Sequence, residues 1–179
     1  RKFRGSVLPT QMAGKLSSSE FKTEISSLLL ELEALSETFN EQKISRVNSI
    51  IERITTMTEA TPADAGCTKA ELRYYRGVGL NHSPVFSADA ESNLAAAVKL
   101  APNMVEAWNA LAECMQFSVM GVPSGYWKKA DYQQSKLCLE SALKISKNKQ
   151  SLRTLAMVLK SVPAADATAQ RTQYQDSVK

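Results

Sequence analysis

Histidine and cysteine, which supply many catalytic and metal sites, are scarce in this chain of 179 residues. The one histidine, His82, lies in the loop-like stretch NHSP, and Cys67, Cys114 and Cys138 show no C-x-x-C spacing. This argues against a disulfide scaffold and a zinc site, and we expect each thiol to pack in a core. No G-x-x-x-x-G-K-[ST], H-E-x-x-H or G-x-S-x-G motif is present. The sequence therefore predicts no enzyme, no cofactor and no metal.

Long apolar runs, glycine and proline are scarce as well. No run approaches the roughly 20 residues that a membrane-spanning helix needs, so we expect no membrane span. The chain has seven glycines and six prolines, with 44% apolar and 22% charged residues. This composition is ordinary for a globular protein and favours a helical one.

Acidic residues are absent from residues 1–19, which carry four basic side chains. Residues 20–125 are acidic, with fourteen acidic and eight basic side chains, whereas 126–160 carry eight basic and two acidic ones. Residues 1–19 have the composition of a transit peptide and equally of a basic arm. The second basic segment suits a phosphate backbone, although a solvated helix face explains it equally well.

Two amphipathic helices are predicted in residues 20–60 and form an N-terminal α-hairpin. Serines at 17–19 offer N-cap oxygens for a helix that runs to about Phe39. Its apolar face is made of Leu28, Leu32 and Leu35. The second helix, EQKISRVNSIIERITTMTEA, places Ile44, Val47, Ile51 and Ile54 at helical spacing. TPADAG, residues 61–66, then breaks the pattern as a loop.

Beyond residue 67 the pattern follows the 34-residue tetratricopeptide repeat. There, a large and a small residue on one helix (helix A) precede small residues on the next (helix B), and a proline ends helix B. In VEAWNALAECM these helix A positions are Trp108, Leu111, Ala112 and Met115. The preceding unit has Gly77 as its small residue, and its helix B positions are Ala90, Leu94, Ala97 and Pro102.

The second repeat is longer than the pattern. Trp108 and Ala142 lie 34 residues apart, where the repeat has about 23. We therefore place an insertion of about 11 residues at 115–125, MQFSVMGVPSG, as a loop. Helix B is then expected at about 131–145, with Ser135, Leu139 and Ala142 directed inward.

A third helix A, QSLRTLAMVLKSV, carries Leu152, Leu155, Met157 and Leu159, and Pro163 closes it. These patterns predict an all-α fold, in which the hairpin precedes a right-handed solenoid of about two and a half repeats over 67–179. Because QDSVK resembles the start of a further helix B, we expect the sequence to end within the third repeat and to belong to a longer chain.

Several strings in residues 69–162 resemble one family. They are RGVGLNHSPVFSADAESNLAAAVKLAPNMVEAWNALAE, YWKKAD and SALKISKNKQSLRTLAMVLKSV. They are similar to the tetratricopeptide-repeat protein 5 family, also called the stress-responsive cofactor Strap, over its repeat region. The resemblance implies an adaptor that binds protein partners. Such an adaptor is either a ribosome-associated factor that recognises nascent tubulin and promotes decay of its mRNA, or a scaffold for transcription cofactors. It also implies a cytoplasmic location, extending to the nucleus.

In such repeats, helix A residues line a concave groove that holds an extended peptide. The residues expected in this groove by repeat phase are Tyr74, Asn109, Glu113, Arg153 and Lys160. The amide of Asn109 could hold a peptide backbone by donating and accepting at once. A basic patch for ribosome or RNA contact is expected from Lys99, Lys128, Lys129, Lys144, Lys147 and Lys149.

A second interpretation is an accessory subunit of a large assembly, such as a mitochondrial ribosome or a respiratory complex, with the groove unused. The acid-free residues 1–19 and the insertion at 115–125 favour it, and the location would then be mitochondrial. In both interpretations the chain is part of a larger assembly.

Overall fold

The computed structural model describes residues 17–36, 41–62, 67–83, 87–116 and 132–161. The elements in these ranges are α-helices: α1 (Ser18–Ser36), α2 (Glu41–Ala60), α3 (Lys69–Asn81), α4 (Ala88–Leu100), α5 (Val105–Met115), α6 (Tyr132–Ile145) and α7 (Lys149–Ser161). The predicted all-α class is confirmed. None of the helices in the described ranges is long and apolar enough to span a membrane.

The N-terminal hairpin starts with a capping box, in which the side chains of Ser17 and Glu20 each accept a hydrogen bond from the other residue's backbone N–H. The Ser17 hydroxyl accepts from the Glu20 amide at 3.3 Å, and the Glu20 carboxylate accepts from the Ser17 amide at 2.8 Å. The fully or nearly fully buried residues between α1 and α2 are Phe21, Ile25, Leu32, Val47, Ile50 and Ile54. The buried face of α2 is slightly rotated from the predicted one, since Ile50 is buried and Ile51 is only partly buried.

Helix α3 packs against the hairpin as well as against α4. Leu72 and Cys67 join the core of α1 and α2, and Lys22 of α1 pairs with Glu71 of α3 at 2.8 Å. Glu71 also closes a capping box with Thr68 at the start of α3. The hairpin thus stacks on α3 as a further helix pair.

The second core joins α4, α5, α6 and α7, with side chains of α3 packed against it. Ala90, Leu94 and Ala97 on α4 are fully buried, as are Ser135, Leu139 and Ala142 on α6, as the repeat pattern predicts. A Cβ added at Gly77 would lie 2.6 Å from the Leu94 Cγ, so α3 and α4 approach closely where the pattern requires a small residue. Cys67, Cys114 and Cys138 are all buried, as expected.

Two expectations for the second and third repeats need correction. Met115, which the repeat pattern places on helix A and which we also counted as the first residue of the insertion, is the buried last residue of α5, and Gln116 is its C-cap. The remainder of the insertion, 117–125, lies outside the described residues. On α7 the predicted apolar residues Leu152 and Met157 are 54% and 56% exposed, whereas Ser151 and Val158 are fully buried. The face of α7 that packs on the core is therefore about one residue further round the helix than the apolar residues indicate.

Candidate partner-binding groove

A cleft of about 770 Å³ lies where α5 and α7 approach each other, and one residue of α1 is among its lining residues. Its lining residues are Glu33, Glu113, Gln116, Lys149, Gln150, Arg153, Thr154 and Met157. On α7 the lining residues 150, 153, 154 and 157 recur at helical spacing and form one stripe. The cleft therefore presents one face of α7 opposite the C-terminal half of α5.

The cleft carries charges of both signs. Glu33 and Glu113 contribute carboxylates, and Lys149 and Arg153 contribute cations. Glu113 is exposed as a residue, but the neighbouring cleft side chains remove part of the hydration of its carboxyl. This desolvation raises the pKa of the Glu113 carboxyl against the effect of Gln150, and the negative charge of Glu33 raises it further. Cationic groups of a ligand would stabilise the ionised form of Glu113.

The first turn of α7 is fixed by its cap. Asn148 Oδ1 accepts a hydrogen bond from the backbone N–H of Ser151 at 2.8 Å, which is the side-chain cap that a helix N-terminus requires. Lys149 and Gln150 lie within this capped turn and Arg153 follows it. Their positions in the cleft are consequently tied to a well-defined start of the helix.

Asn109, the residue most strongly expected to hold a peptide, is only 7% exposed. Its Oδ1 accepts a hydrogen bond from the Ser151 hydroxyl of α7 at 2.7 Å. We expected both the oxygen and the nitrogen of this amide to face a peptide. The oxygen instead bonds a residue of the neighbouring helix α7. The reason is that α7 packs over this part of α5, and repeat phase alone does not predict which residues of α5 are covered.

The other expected groove residues fall into two groups. Glu113 and Arg153 lie in the cleft. Tyr74 packs against the core of the solenoid, where burial first, and then the negative charge of Glu106, raise its pKa to about 12. Lys160 is exposed in the last turn of α7 and is not among the cleft residues. The structure thus brings together two of the five predicted side chains.

Residues of the expected basic patch are exposed wherever they are described. Lys99 lies in the last turn of α4, Lys144 in the last turn of α6, Lys147 between α6 and α7, and Lys149 at the start of α7. Lys128 and Lys129 lie outside the described residues. Among the four lysines of the patch that the structure describes, only Lys149 also lines the cleft.

Sequence reasoning missed Glu33, Gln116, Gln150 and Thr154, and it listed Met157 only as an apolar residue of the third helix A. The helical spacing of 150, 154 and 157 around Arg153 could have identified the residues on α7. Glu33 could not be found in this way, because it comes from a helix that is four elements away from α5 along the chain. No group of three or more His, Cys, Asp or Glu side chains suited to a metal ion occurs in the described ranges.

Comparison with known proteins supports the resemblance of the repeat region. No protein-family model matches the chain. Tetratricopeptide repeat protein 5 of Mus musculus is 37% identical over 111 residues, which are 62% of this chain and 23% of that protein. The proteins of the same name from Bos taurus and Homo sapiens are also 37% identical, over 22% and 23% of their lengths. The chain therefore spans less than a quarter of the length of these relatives, and the predicted similarity to tetratricopeptide repeat protein 5 is confirmed.

Proposed function

We propose that this protein is an adaptor that binds an extended peptide of a partner in the cleft between α5 and α7. The observation that carries the proposal is the cleft itself, about 770 Å³ in volume and lined mostly by polar and charged side chains from α1, from α5 with its C-cap, and from α7. Helical-repeat proteins bind partners along such concave surfaces.

The chemistry of the lining indicates the kind of ligand. Glu113 and Arg153 offer opposite charges, Gln116 and Thr154 offer hydrogen-bonding groups, and Met157 offers an exposed apolar surface. Methionine adapts its shape to different partners. A peptide that carries charged side chains and at least one apolar side chain would use all of these groups, whereas a purely apolar ligand would leave the charges unpaired.

The similarity to tetratricopeptide repeat protein 5 supports a finer proposal. The partner peptide would be the N-terminus of nascent tubulin, bound at the ribosome in the cytoplasm, and binding would promote decay of tubulin mRNA. The exposed lysines 99, 144, 147 and 149 would then meet ribosomal RNA, since basic side chains on a protein surface bind phosphates. A scaffold for transcription cofactors would use the same cleft with a different peptide.

The test is a titration with a fluorescent synthetic peptide of the tubulin N-terminus, read by anisotropy. We expect Arg153→Glu to weaken binding at least about tenfold, which corresponds to about 1.4 kcal/mol, because the cleft loses a cation and gains an anion. Lys69→Glu is the matched control, since it makes the same charge change at an exposed position in the first turn of α3. It should leave the affinity within about twofold, because an exposed charge outside the cleft contributes little to binding.

Two results would count against the proposal at different levels. If the parent protein bound the tubulin peptide no better than a scrambled peptide, the tubulin assignment would be wrong. If it bound the tubulin peptide and both variants bound equally well, the cleft would not be the binding site.

A further inference from the structure

We infer that the hydrogen bond between Asn109 and Ser151 positions α7 against α5 and so sets the arrangement of the cleft side chains. Asn109 and Ser151 are then positioning residues, which act on a ligand through the side chains that they align. The predicted effect on peptide binding rests on the proposed function, whereas the predicted effect on the orientation of α7 does not.

The bond lies in the interior between two helices that are not consecutive. Ser151 is fully buried, Asn109 is 7% exposed, and their side-chain oxygens are 2.7 Å apart. Helix α6 separates α5 from α7 along the chain. Apolar contacts between helices tolerate small rotations and shifts, whereas a hydrogen bond requires a specific distance and direction. The bond therefore favours one orientation of α7 over its neighbours.

A comparison of the helices shows that packing alone does not require a hydroxyl at this position. Ala107 is the third residue of α5, as Ser151 is the third residue of α7, and both are fully buried. A methyl group thus suffices to pack this position on α5. Ser151 differs from alanine only by a hydroxyl group, and that hydroxyl donates a hydrogen bond to Asn109.

The residues next to this bond line the cleft. Gln150 and Arg153 lie within two residues of Ser151 on α7, and Glu113 lies one helical turn beyond Asn109 on α5. Rotating α7 by one residue would turn its lining stripe by about 100°. The orientation of α7 therefore decides which side chains a ligand meets.

The experiment compares Ser151→Ala and Asn109→Leu with the double variant. Each single variant leaves a buried polar group without its partner, so we expect the Tm to fall by about 3–6 °C. The double variant replaces both partners by apolar groups, which can be nearly neutral for stability, so its Tm should return to within about 2 °C of the parent. Its affinity for the tubulin peptide should nevertheless remain at least about fivefold weaker, because the apolar pair no longer fixes the orientation of α7.

The structural arm measures the distance between spin labels at Glu106→Cys on α5 and Ala156→Cys on α7, two exposed positions. The native cysteines are buried and should react slowly with the label. We expect the distance distribution of the Asn109→Leu, Ser151→Ala double variant to broaden or shift relative to that of the parent. Ser135→Ala is the matched control, since Ser135 is a fully buried serine on α6 that donates to the Ala112 carbonyl of α5 at 2.8 Å. It should lower the Tm and leave both the distances and the affinity unchanged.

An unchanged distance distribution in the double variant would overturn the inference, whatever the ligand proves to be. Recovery of both Tm and affinity in the double variant would also overturn it, because the bond would then serve only to fill the core. Absence of peptide binding by the parent would contradict the proposed function, and the spin-label distances would still decide the inference.

Discussion

Asn109 and Arg153 show how one position of a helical repeat can serve two purposes. Each is the fifth residue of its helix, α5 or α7, and sequence phase therefore assigns both to the groove. In the structure Asn109 is buried beneath α7 and bonds Ser151, while Arg153 is exposed and lines the cleft. Whether such a residue contacts a partner depends on which neighbouring helix lies over it.

The Glu71 carboxylate makes two stabilising interactions, which together predict how the stability of the protein depends on pH. It accepts from the Thr68 backbone at 2.7 Å and pairs with Lys22 at 2.8 Å. Burial opposes its ionisation, but the bonds to Lys22 and Thr68 outweigh burial and lower its pKa below the usual 4.5. The unfolded chain therefore takes up this proton first as the pH falls, so the stabilisation by Glu71 is full above about pH 4.5 and is lost below it.

We expect Glu71→Gln to lower the free energy of unfolding by about 0.5–1 kcal/mol at pH 7, the size of a partly exposed ion pair. The amide can still accept from the Thr68 backbone, so the loss reports mainly the charge. Urea denaturation at pH 7 and at pH 3 is the measurement, and the difference from the parent should be smaller at pH 3, where the unfolded chain already holds this proton. A difference of the same size at both pH values would show that the charge of Glu71 does not contribute.

At the scale of the helices, the sequence pattern predicted several boundaries within about one residue. Helix α2 has the predicted bounds 41–60, and α6 starts within one residue of the expected position. The small residue Gly77 and the buried residues Ala90, Leu94 and Ala97 follow from repeat spacing, because close helix packing leaves room only for particular sizes. These features follow from residue spacing along the chain, so they can be predicted from the sequence alone.

The orientation of α7 and the makeup of the cleft could not be predicted in the same way. Leu152 and Met157 are apolar but exposed, whereas Ser151 is polar but fully buried, so hydrophobicity indicated the packing face of α7 only to within about one residue. Glu33 reaches the cleft from α1 because the hairpin stacks on α3. Both features arise from packing between elements that are distant in sequence, and periodicity within one helix carries no information about them.

At the scale of the molecule, α3 connects two cores. Leu72 and Tyr75 pack with the hairpin, and Tyr74 and Val78 pack with the solenoid core of α4–α7. Stability in stacked repeats comes from each unit and its interfaces with its neighbours. The hairpin should consequently contribute to the stability of the solenoid, in addition to placing Glu33 at the cleft.

The exposed lysines give a second prediction about the whole molecule. If Lys144 and Lys147 meet ribosomal RNA, Lys144→Glu with Lys147→Glu should weaken co-sedimentation with ribosomes. It should also lower the slope of log affinity against log salt by roughly 0.7–0.9 for each phosphate that the protein no longer neutralises. Both side chains are exposed, so the Tm should stay within about 2 °C of the parent. Equal co-sedimentation of parent and variant at low and at physiological salt would show that these lysines form only a solvated surface.

The central claim is that a partner peptide occupies the cleft between α5 and α7. Its most direct test is a nuclear magnetic resonance titration of the ¹⁵N-labelled protein with the tubulin N-terminal peptide. We predict that the largest amide shift changes occur at the cleft residues Glu113, Gln150, Arg153, Thr154 and Met157, and that the exposed residues of α4, such as Lys99, change little. Saturable shift changes confined to α4 and α6, with the cleft residues unaffected, would contradict it.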